Sequence, residues 1–169
     1  MMRDGLKVIL IFLLLLLSSC AEEHTPYIPV EYGIGSIVAV WDLEDLSVTN
    51  HAQLADMQEF LTAKIIETLK IKGGYELVER QKLILALEEL SLGSSNLASE
   101  TSRLEIGQIL GAQLMVFGGY QLVGEQLRID LRMVEVASGV VIKAAEQTTA
   151  AADISGWLKA AEEVAAQLM

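Results

Sequence analysis

An uninterrupted apolar run, Leu114 to Phe117, stands in the stretch from Gln113 to Tyr120 with no charged residue beside it. Such a run is typical of a strand buried on both faces, because a strand with one wet face would alternate between apolar and polar residues. A short helical segment ending at Gly111 precedes the run, and strict alternation follows it. A helical crossover on one side and a hairpin on the other predict the central strand of a mixed α/β sheet.

Two shorter apolar segments, Ser36–Trp41 and Tyr75–Val78, predict two more strands ahead of the central one. Between them, apolar residues recur at helical spacing from Leu54 to Leu69, with charged residues on the opposite side. Asn50 is placed to cap the start of this helix, and Gly73-Gly74 to end it. Right-handed crossovers should make both strands parallel to the central strand.

Two further helices are predicted between Glu79 and Gly111. The first opens at Glu79 and should bury one apolar face, made of Leu83, Ile84, Leu87 and Leu90. The second follows a polar turn, and the pattern from Ser102 to Glu105 matches a capping box at its start. Gly111 can take the left-handed conformation that ends this second helix.

Beyond the central strand, turns at Gly124 and Gly139 enclose a strand with strict alternation. Its apolar residues should face one way and its charged residues the other: Leu127, Ile129, Leu131 and Met133 against Arg128, Asp130 and Arg132. The adjacent apolar pair Met133-Val134 indicates either a bulge or a segment buried on both faces. A last strand from Val140 to Thr149 and an amphipathic helix from Asp153 to Met169 complete a mixed sheet of about five strands with helices packed on it.

The first residues have the pattern of a signal peptide. Arg3 and Lys7 precede an apolar run from Val8 to Leu17, which is too short for a membrane-spanning helix of about 20 residues. The string that follows, Leu17-Ser18-Ser19-Cys20, resembles the lipobox of bacterial lipoproteins. The resemblance implies cleavage between Ser19 and Cys20 and acylation of Cys20, with palmitate among the acyl chains. Cys20 is the only cysteine in the chain, as suits an oxidising compartment.

These patterns divide the chain into a signal peptide (1–19), a lipidated cysteine with an extended tether (20–35), and one α/β domain (36–169). Removing residues 1–19 takes away two basic residues and one acidic residue, so the formal charge of −11 becomes −12. A surface of this charge repels phosphate groups, which argues against nucleic acid as a partner. Acyl chains, rather than a basic patch, should therefore bind the lipid bilayer.

Four possible metal ligands lie near the carboxyl end of the first predicted strand: Asp42, Glu44, Asp45 and His51. Ligand sites of open α/β sheets form at such ends, and these groups could hold a divalent cation for a metal-assisted hydrolase. The simpler interpretation is a solvated acidic loop, because no HExxH or CxxC motif accompanies it. With His24 as the only other histidine, a serine triad has few ways to form. We predict no catalytic residue, no metal and no cofactor.

Five short strings follow one another along the chain: Ile37–Leu43, Tyr75–Leu83, Leu87–Gly93, Ile106–Ala112 and Leu131–Gly139. Their order and spacing resemble the periplasmic domain of the curli-assembly lipoprotein family (CsgG/HfaB-like), over about residues 36 to 168. The penicillin-binding-protein activator LpoB and the TolB amino-terminal domain share that architecture. The resemblance implies a non-enzymatic periplasmic accessory that binds another envelope protein in secretion, fibre assembly or cell-wall synthesis. Ala21, in place of an aspartate after the cysteine, favours the outer membrane.

Pore-forming members of that family carry long insertions that supply transmembrane hairpins. Here the turn at Val123-Gly124-Glu125 is minimal, and the charges of the following strand would cost about 2 to 4 kcal/mol each at the bilayer midplane. We therefore do not expect a pore built by this chain alone. An alternative is a subunit of an oligomeric secretion ring, in which Tyr27 to Tyr32 packs on a neighbour. No local motif marks the residues that bind a partner.

Overall fold

Ten helices and strands make up the part of the chain that the computed structural model describes, residues 30–48, 57–89, 99–150 and 153–169. In chain order they are β1 (Ile37–Val40), β2 (Glu44–Asp45), α1 (Met57–Ile71), β3 (Glu76–Leu77), α2 (Arg80–Glu89), α3 (Glu100–Ile109), β4 (Leu114–Val123), β5 (Gln126–Glu135), β6 (Val141–Ala150) and α4 (Ile154–Ala166). The predicted cap at Asn50 lies outside the described residues.

The strand predicted at the centre of the sheet, β4, is the seam between its parallel and antiparallel halves. The strand order is β3-β1-β4-β5-β6, and β2 also pairs with β4. On one side, β1 runs parallel to both β3 and β4, as the crossover rule predicts. On the other side, β5 and β6 are antiparallel, so the mixed α/β prediction is confirmed. The sheet has six strands instead of about five because β2 adds one.

Both faces of β4 are buried because two separate cores pack against it. Leu114, Val116 and Tyr120 belong to the core beneath α1 and α4. Met115 and Phe117 point the other way, into a second core that residues of α2 and α3 cover. A strand buried on both faces has no solvent-exposed side that would favour polar residues at alternate positions, which explains the unbroken apolar run.

Strand β5 has the predicted alternation. Its residues Leu127, Ile129, Leu131 and Met133 are buried in the first core. Val134 joins the second core, so this segment is buried on both faces. The register with β6 also shifts between Met133 and Val134, and the extra residue there is Ile142 of β6. Arg128, Asp130 and Arg132 of β5 lie on the opposite face of the sheet, which we call the open face.

Gly118 and Gly119 let neighbouring backbones approach β4 closely. A Cβ atom on Gly118 would overlap the backbone oxygen of Asp130 in β5. A Cβ atom on Gly119 would lie 2.9 Å from the backbone oxygen of Glu44 and 2.7 Å from the Leu46 side chain. The pairing of β2 with β4 therefore depends on glycine at this point.

The ends of the helices that the structure describes agree with the sequence patterns at two glycines and differ at the start of α3. Gly74 and Gly111 have φ values of 66° and 72°, the left-handed conformation expected after a helix. The N-cap of α3 is Ser99, whose side chain accepts a hydrogen bond from the Ser102 amide. The capping box predicted at Ser102 is therefore wrong: that residue already lies in the first turn.

The apolar face predicted for α2 is only partly buried. Leu83 and Leu87 are buried, while Ile84 is 40% exposed. Ala86 takes its place in the second core. Leu90 lies outside the described residues.

Candidate functional site

The predicted cleavage and acylation residues, Ser19 and Cys20, precede the described part of the chain, and His51 falls in an undescribed gap. The folded body begins at Tyr32 and runs to Met169. No helix within the described ranges is long and apolar enough to cross a bilayer.

Asp42, the first of the predicted metal ligands, is held by the guanidinium group of Arg80. The Arg80 Nε and Nη2 atoms donate to the two carboxylate oxygens of Asp42, each over 2.9 Å. The Arg80 Nη1 atom also donates to Glu59 over 3.3 Å. The hydrogen bonds to Asp42 are the main reason why the pKa of Arg80 is raised. This carboxylate is committed to a bidentate ion pair.

Glu44 and Asp45 have different partners. Glu44 lies 2.6 Å from the guanidinium of Arg103, on α3. The Asp45 carboxylate accepts a hydrogen bond of 2.9 Å from the Ser47 amide, in the turn after β2. The three acidic side chains are thus not brought together, and within the described ranges no three His, Cys, Asp or Glu residues are grouped to hold a metal ion.

A cleft of about 420 Å³ lies between α3 and the strands β2, β4 and β5, and we call it the α3 cleft. Glu44 and Arg103 form one side of it, and Glu100 and Arg132 also line it. Phe117 is among the apolar residues of its lining. Its volume lies within the range of ligand pockets, about 300 to 1,000 Å³.

Both arginines of the α3 cleft lie on aromatic rings and face carboxylates. Arg103 lies 5.1 Å from the centroid of the Trp41 ring and is paired with Glu44. Arg132 lies 5.7 Å from the centroid of Phe117 and 3.0 Å from Glu100. Ring and ion pair together restrict each guanidinium. Paired arginines stacked on aromatic rings are typical of surfaces that recognise another molecule.

The open face continues from the α3 cleft across β5 to β6. Arg128 of β5 pairs with Asp130 over 2.6 Å and with Glu146 of β6 over 2.5 Å. The outer strand β6 exposes alternate residues on this face: Ala144, Glu146, Thr148 and Ala150. The open face is therefore a polar surface of paired charges with small side chains at its margin.

A buried carboxylate that sequence reasoning did not single out lies where the chain enters the folded body. Glu135, at the end of β5, is 4% exposed. It accepts a hydrogen bond of 2.5 Å from the Tyr32 hydroxyl, and another from the hydroxyl of Ser138. Tyr32 also packs against the first core. The available signal was a lone acidic residue in the apolar run from Met133 to Val136.

The fold resembles several solved structures. The LpoB C-terminal domain from Salmonella enterica superposes with a TM-score of 0.60 at 19% identity, covering 70% of this chain and 85% of that one. A PelC dodecamer from Paraburkholderia phytofirmans gives a TM-score of 0.52 at 16% identity, covering 81% and 86%. A lipoprotein from Neisseria meningitidis gives a TM-score of 0.52 at 13% identity, covering 68% and 80%. Identities this low establish a common fold only.

Sequence comparison gives the family directly. A search of curated proteins found no match. The model of one protein family, described as "Curli production assembly/transport component CsgG", matches residues 36–128, which is more than half of the chain. The match runs from β1 through β4 into the start of β5, so it includes the seam of the sheet and the part of the α3 cleft formed by β2, α3 and β4, but not Asp130, Leu131 and Arg132. The chain belongs to the CsgG family.

Proposed function

We propose that the chain is an envelope lipoprotein, held on the periplasmic side of the outer membrane by acyl chains on Cys20, whose folded body binds another protein during secretion or envelope assembly. The observation that carries the proposal is the CsgG family match over the folded body. The lipobox-like string ending at Cys20 supports the anchor.

The position of Tyr32 limits how far such an anchor lets the body travel. Because Tyr32 is bonded to Glu135, only residues 21–31 are left between the lipidated cysteine and the folded body. A stretch of this length reaches at most about 40 Å when fully extended. The body would therefore work close to its own membrane.

The α3 cleft and the adjoining open face are the proposed surface for the partner. Arginine and aromatic residues are enriched at protein interfaces, and here the two are stacked. The guanidinium groups are already held in place, so a partner that contacts them orders few side chains on binding. The acidic balance of the chain disfavours nucleic acid and anionic lipid as the occupant.

The anchor is tested by replacing Cys20 with alanine in the full chain. We expect Cys20→Ala to abolish incorporation of labelled palmitate and to move the protein from the membrane fraction to the soluble fraction. Ser18→Ala is the matched control, because it keeps a small residue next to the cleavage site and should leave both readouts unchanged. Membrane association that survives Cys20→Ala would rule out the lipid anchor.

The partner is tested separately, by cross-linking in cells followed by mass spectrometry. A photo-reactive residue in place of Glu100 samples the α3 cleft, and one in place of Glu67, which is exposed on α1, serves as the control. Adducts with an envelope protein at position 100 but not at 67 would support the proposed surface. Equal labelling at the two positions would contradict it.

A second candidate is a subunit of a homo-oligomeric ring. The similarity to a protein whose structure is a dodecamer favours it. The Tyr32 hydroxyl is already hydrogen-bonded within its own body. Of the segment from Tyr27 to Tyr32, the residues before Tyr32 are therefore the ones left to pack on a neighbouring subunit. Native mass spectrometry of the detergent-solubilised lipoprotein distinguishes the two: one large assembly supports a ring, and a monomer excludes it.

The third candidate is a metal-assisted hydrolase at Asp42, Glu44 and Asp45, and the geometry of these side chains does not support it. Each carboxylate has its own partner, and two of these partners are arginines. A cation would have to displace both arginines before the ligands could converge. We expect that calcium or manganese leaves the melting temperature unchanged, whereas a rise that Asp42→Ala removes would revive this candidate.

A further inference from the structure

The outer edge of β6 is a ten-residue strand edge with few of the features that block pairing. Within the described ranges, β6 pairs only with β5. It contains no proline, and its two charged residues are Lys143 and Glu146. Edges of this length usually carry proline, a bulge or several charges, because unpaired N–H and C=O groups recruit other strands. The bulge near Lys143 disturbs only one end of this edge.

The hydrogen-bonding pattern fixes which groups of β6 face outward. The amide of Glu135 in β5 donates to Val140 across the turn, so the odd-numbered residues of β5 bond towards β6. Their partners Ala145 and Gln147 bond inward, which turns the backbone groups of Ala144, Glu146 and Thr148 outward. The Glu146 carbonyl indeed accepts a hydrogen bond from outside the sheet, from the Gln167 side chain over 3.4 Å.

We propose that the outer edge of β6 takes up an extended, basic segment of a partner protein as an additional antiparallel or parallel strand. The proposal specifies the chemical character of the partner in the protein-binding role, and so it rests on the proposed function. Main-chain hydrogen bonds to the outward groups would supply affinity. The side chains beside this edge would supply the selectivity for a basic segment.

Two carboxylates stand on opposite faces of this edge and favour a basic occupant. Glu146 lies on the open face, where it pairs with Arg128 over 2.5 Å, and its side chain is still 66% exposed. Glu163 of α4 lies on the other face, beside Gln147, and its side chain is 44% exposed. Successive residues of a strand point to opposite faces, so two adjacent basic residues can reach both carboxylates. The chain's charge of −11 acts in the same direction.

A second copy of the chain fits this edge poorly. Two β6 strands related by a two-fold axis normal to the sheet place residues of the same face opposite each other. Glu146 would then face Ala144, Thr148, Ala150 or another Glu146, none of which is basic. Lys143 points to the other face and cannot pair with it. Two acidic chains would meet without a compensating ion pair.

The test uses full-length lipoprotein in detergent micelles and a ten-residue peptide, acetyl-Thr-Val-Thr-Val-Lys-Arg-Val-Thr-Val-Thr-amide. Hydrogen exchange with single-amide resolution should slow at residues 144, 146 and 148, whose amides face outward, and stay unchanged at 145 and 147. A peptide with two glutamates in place of the basic pair should bind at least tenfold more weakly. Equal binding of the two peptides would overturn the charge argument.

A pair of variants at one position separates backbone pairing from side-chain contact. Thr148→Pro removes an outward amide but no hydrogen bond to β5, and should weaken peptide binding at least tenfold. Thr148→Ala keeps the amide and should bind as the wild type does. Unchanged binding by Thr148→Pro would overturn the proposal, as would protection that rises with protein concentration without peptide. None of these readouts depends on Cys20, so a failure here leaves the anchor untouched.

Discussion

The hydroxyl of Tyr32 donates a hydrogen bond of 2.5 Å to the carboxylate of Glu135, across 103 positions of sequence. Glu135 is almost fully buried, and burial makes hydrogen-bond donors from within the protein, such as the hydroxyls of Tyr32 and Ser138, important to it. The bond fastens the first residue of the folded body to the far end of β5. The boundary of the body is therefore set by one tyrosine, four positions before the predicted start at Ser36.

Tyr32→Phe should lower the free energy of unfolding by about 1.5 to 3 kcal/mol, because it leaves a buried carboxylate without one of its donors. Urea unfolding followed by circular dichroism measures the change. Tyr75→Phe is the control, since Tyr75 is buried in the same core but has no hydroxyl hydrogen bond within the described residues. An equal loss in both variants would show that the Glu135 bond contributes nothing specific.

Gly118→Ala should destabilise the fold by about 1 to 3 kcal/mol or more, because the added methyl group overlaps the Asp130 backbone and a backbone cannot yield as a side chain can. The midpoint of thermal unfolding measures the effect. Gly33→Ala is the control, as a Cβ atom there meets nothing within 4 Å. A stable Gly118→Ala variant would mean that β4 and β5 are not packed this closely.

Arg103→Ala should lower the free energy of unfolding by about 2 kcal/mol, since it removes both a partly buried ion pair with Glu44 and the stacking on Trp41. Lys82→Ala removes an exposed pair with Glu79, whose atoms are 3.9 Å apart. Exposed pairs contribute about 0 to 1 kcal/mol, so this control should change little. Chemical unfolding compares the two, and equal losses would contradict the special role of Arg103.

The hydroxyl of Tyr120 gives the fold a dependence on alkaline pH. Burial, with the Asp45 carboxylate nearby, raises the pKa of Tyr120 from 10.0 to about 12. The folded state therefore holds this proton more tightly than the unfolded state does. Its contribution is fully present below pH 10 and is lost as pH rises towards 12. Each unit of difference in pKa corresponds to about 1.4 kcal/mol.

Unfolding free energies measured from pH 8 upwards should fall above pH 10 in the wild type, and fall less steeply in Tyr120→Phe. Burial also raises the pKa of Tyr75, so some dependence on pH should remain in that variant. Identical slopes in the two proteins would show that Tyr120 ionises freely in the folded state.

Local patterns predicted those parts of the fold that local physics determines. The burial of β4 on both faces followed from an apolar run, and the burial of β5 on both faces at Met133-Val134 followed from two adjacent apolar residues. The strand at Glu44–Asp45 was missed because its residues are charged. They form a strand because Gly119, far along the chain, leaves room for their backbone.

The candidate site was less predictable because its contacts join distant parts of the chain. Arg103 contacts Trp41 and Glu44 only after the chain has folded, and no sequence pattern predicts these contacts. The cap at Ser99 was missed for a different reason. Ser102 matches the capping box better, because Glu105 follows it by three residues and only Ser102 follows Ser99 at that spacing. The choice between the two serines depends on where the preceding segment enters the helix.

The place of β1 between two parallel neighbours has a mechanical consequence. β1 is hydrogen-bonded to β3 on one side and to β4 on the other, and it follows directly after the residues fastened at Tyr32. A tensile load that enters at Tyr32 and runs along β1 strains these bonds together, in shear. A load entering at the end of β6 would instead peel that strand from β5 one bond at a time. The anchor proposed at Cys20 would therefore apply its load to the mechanically stronger end of the body.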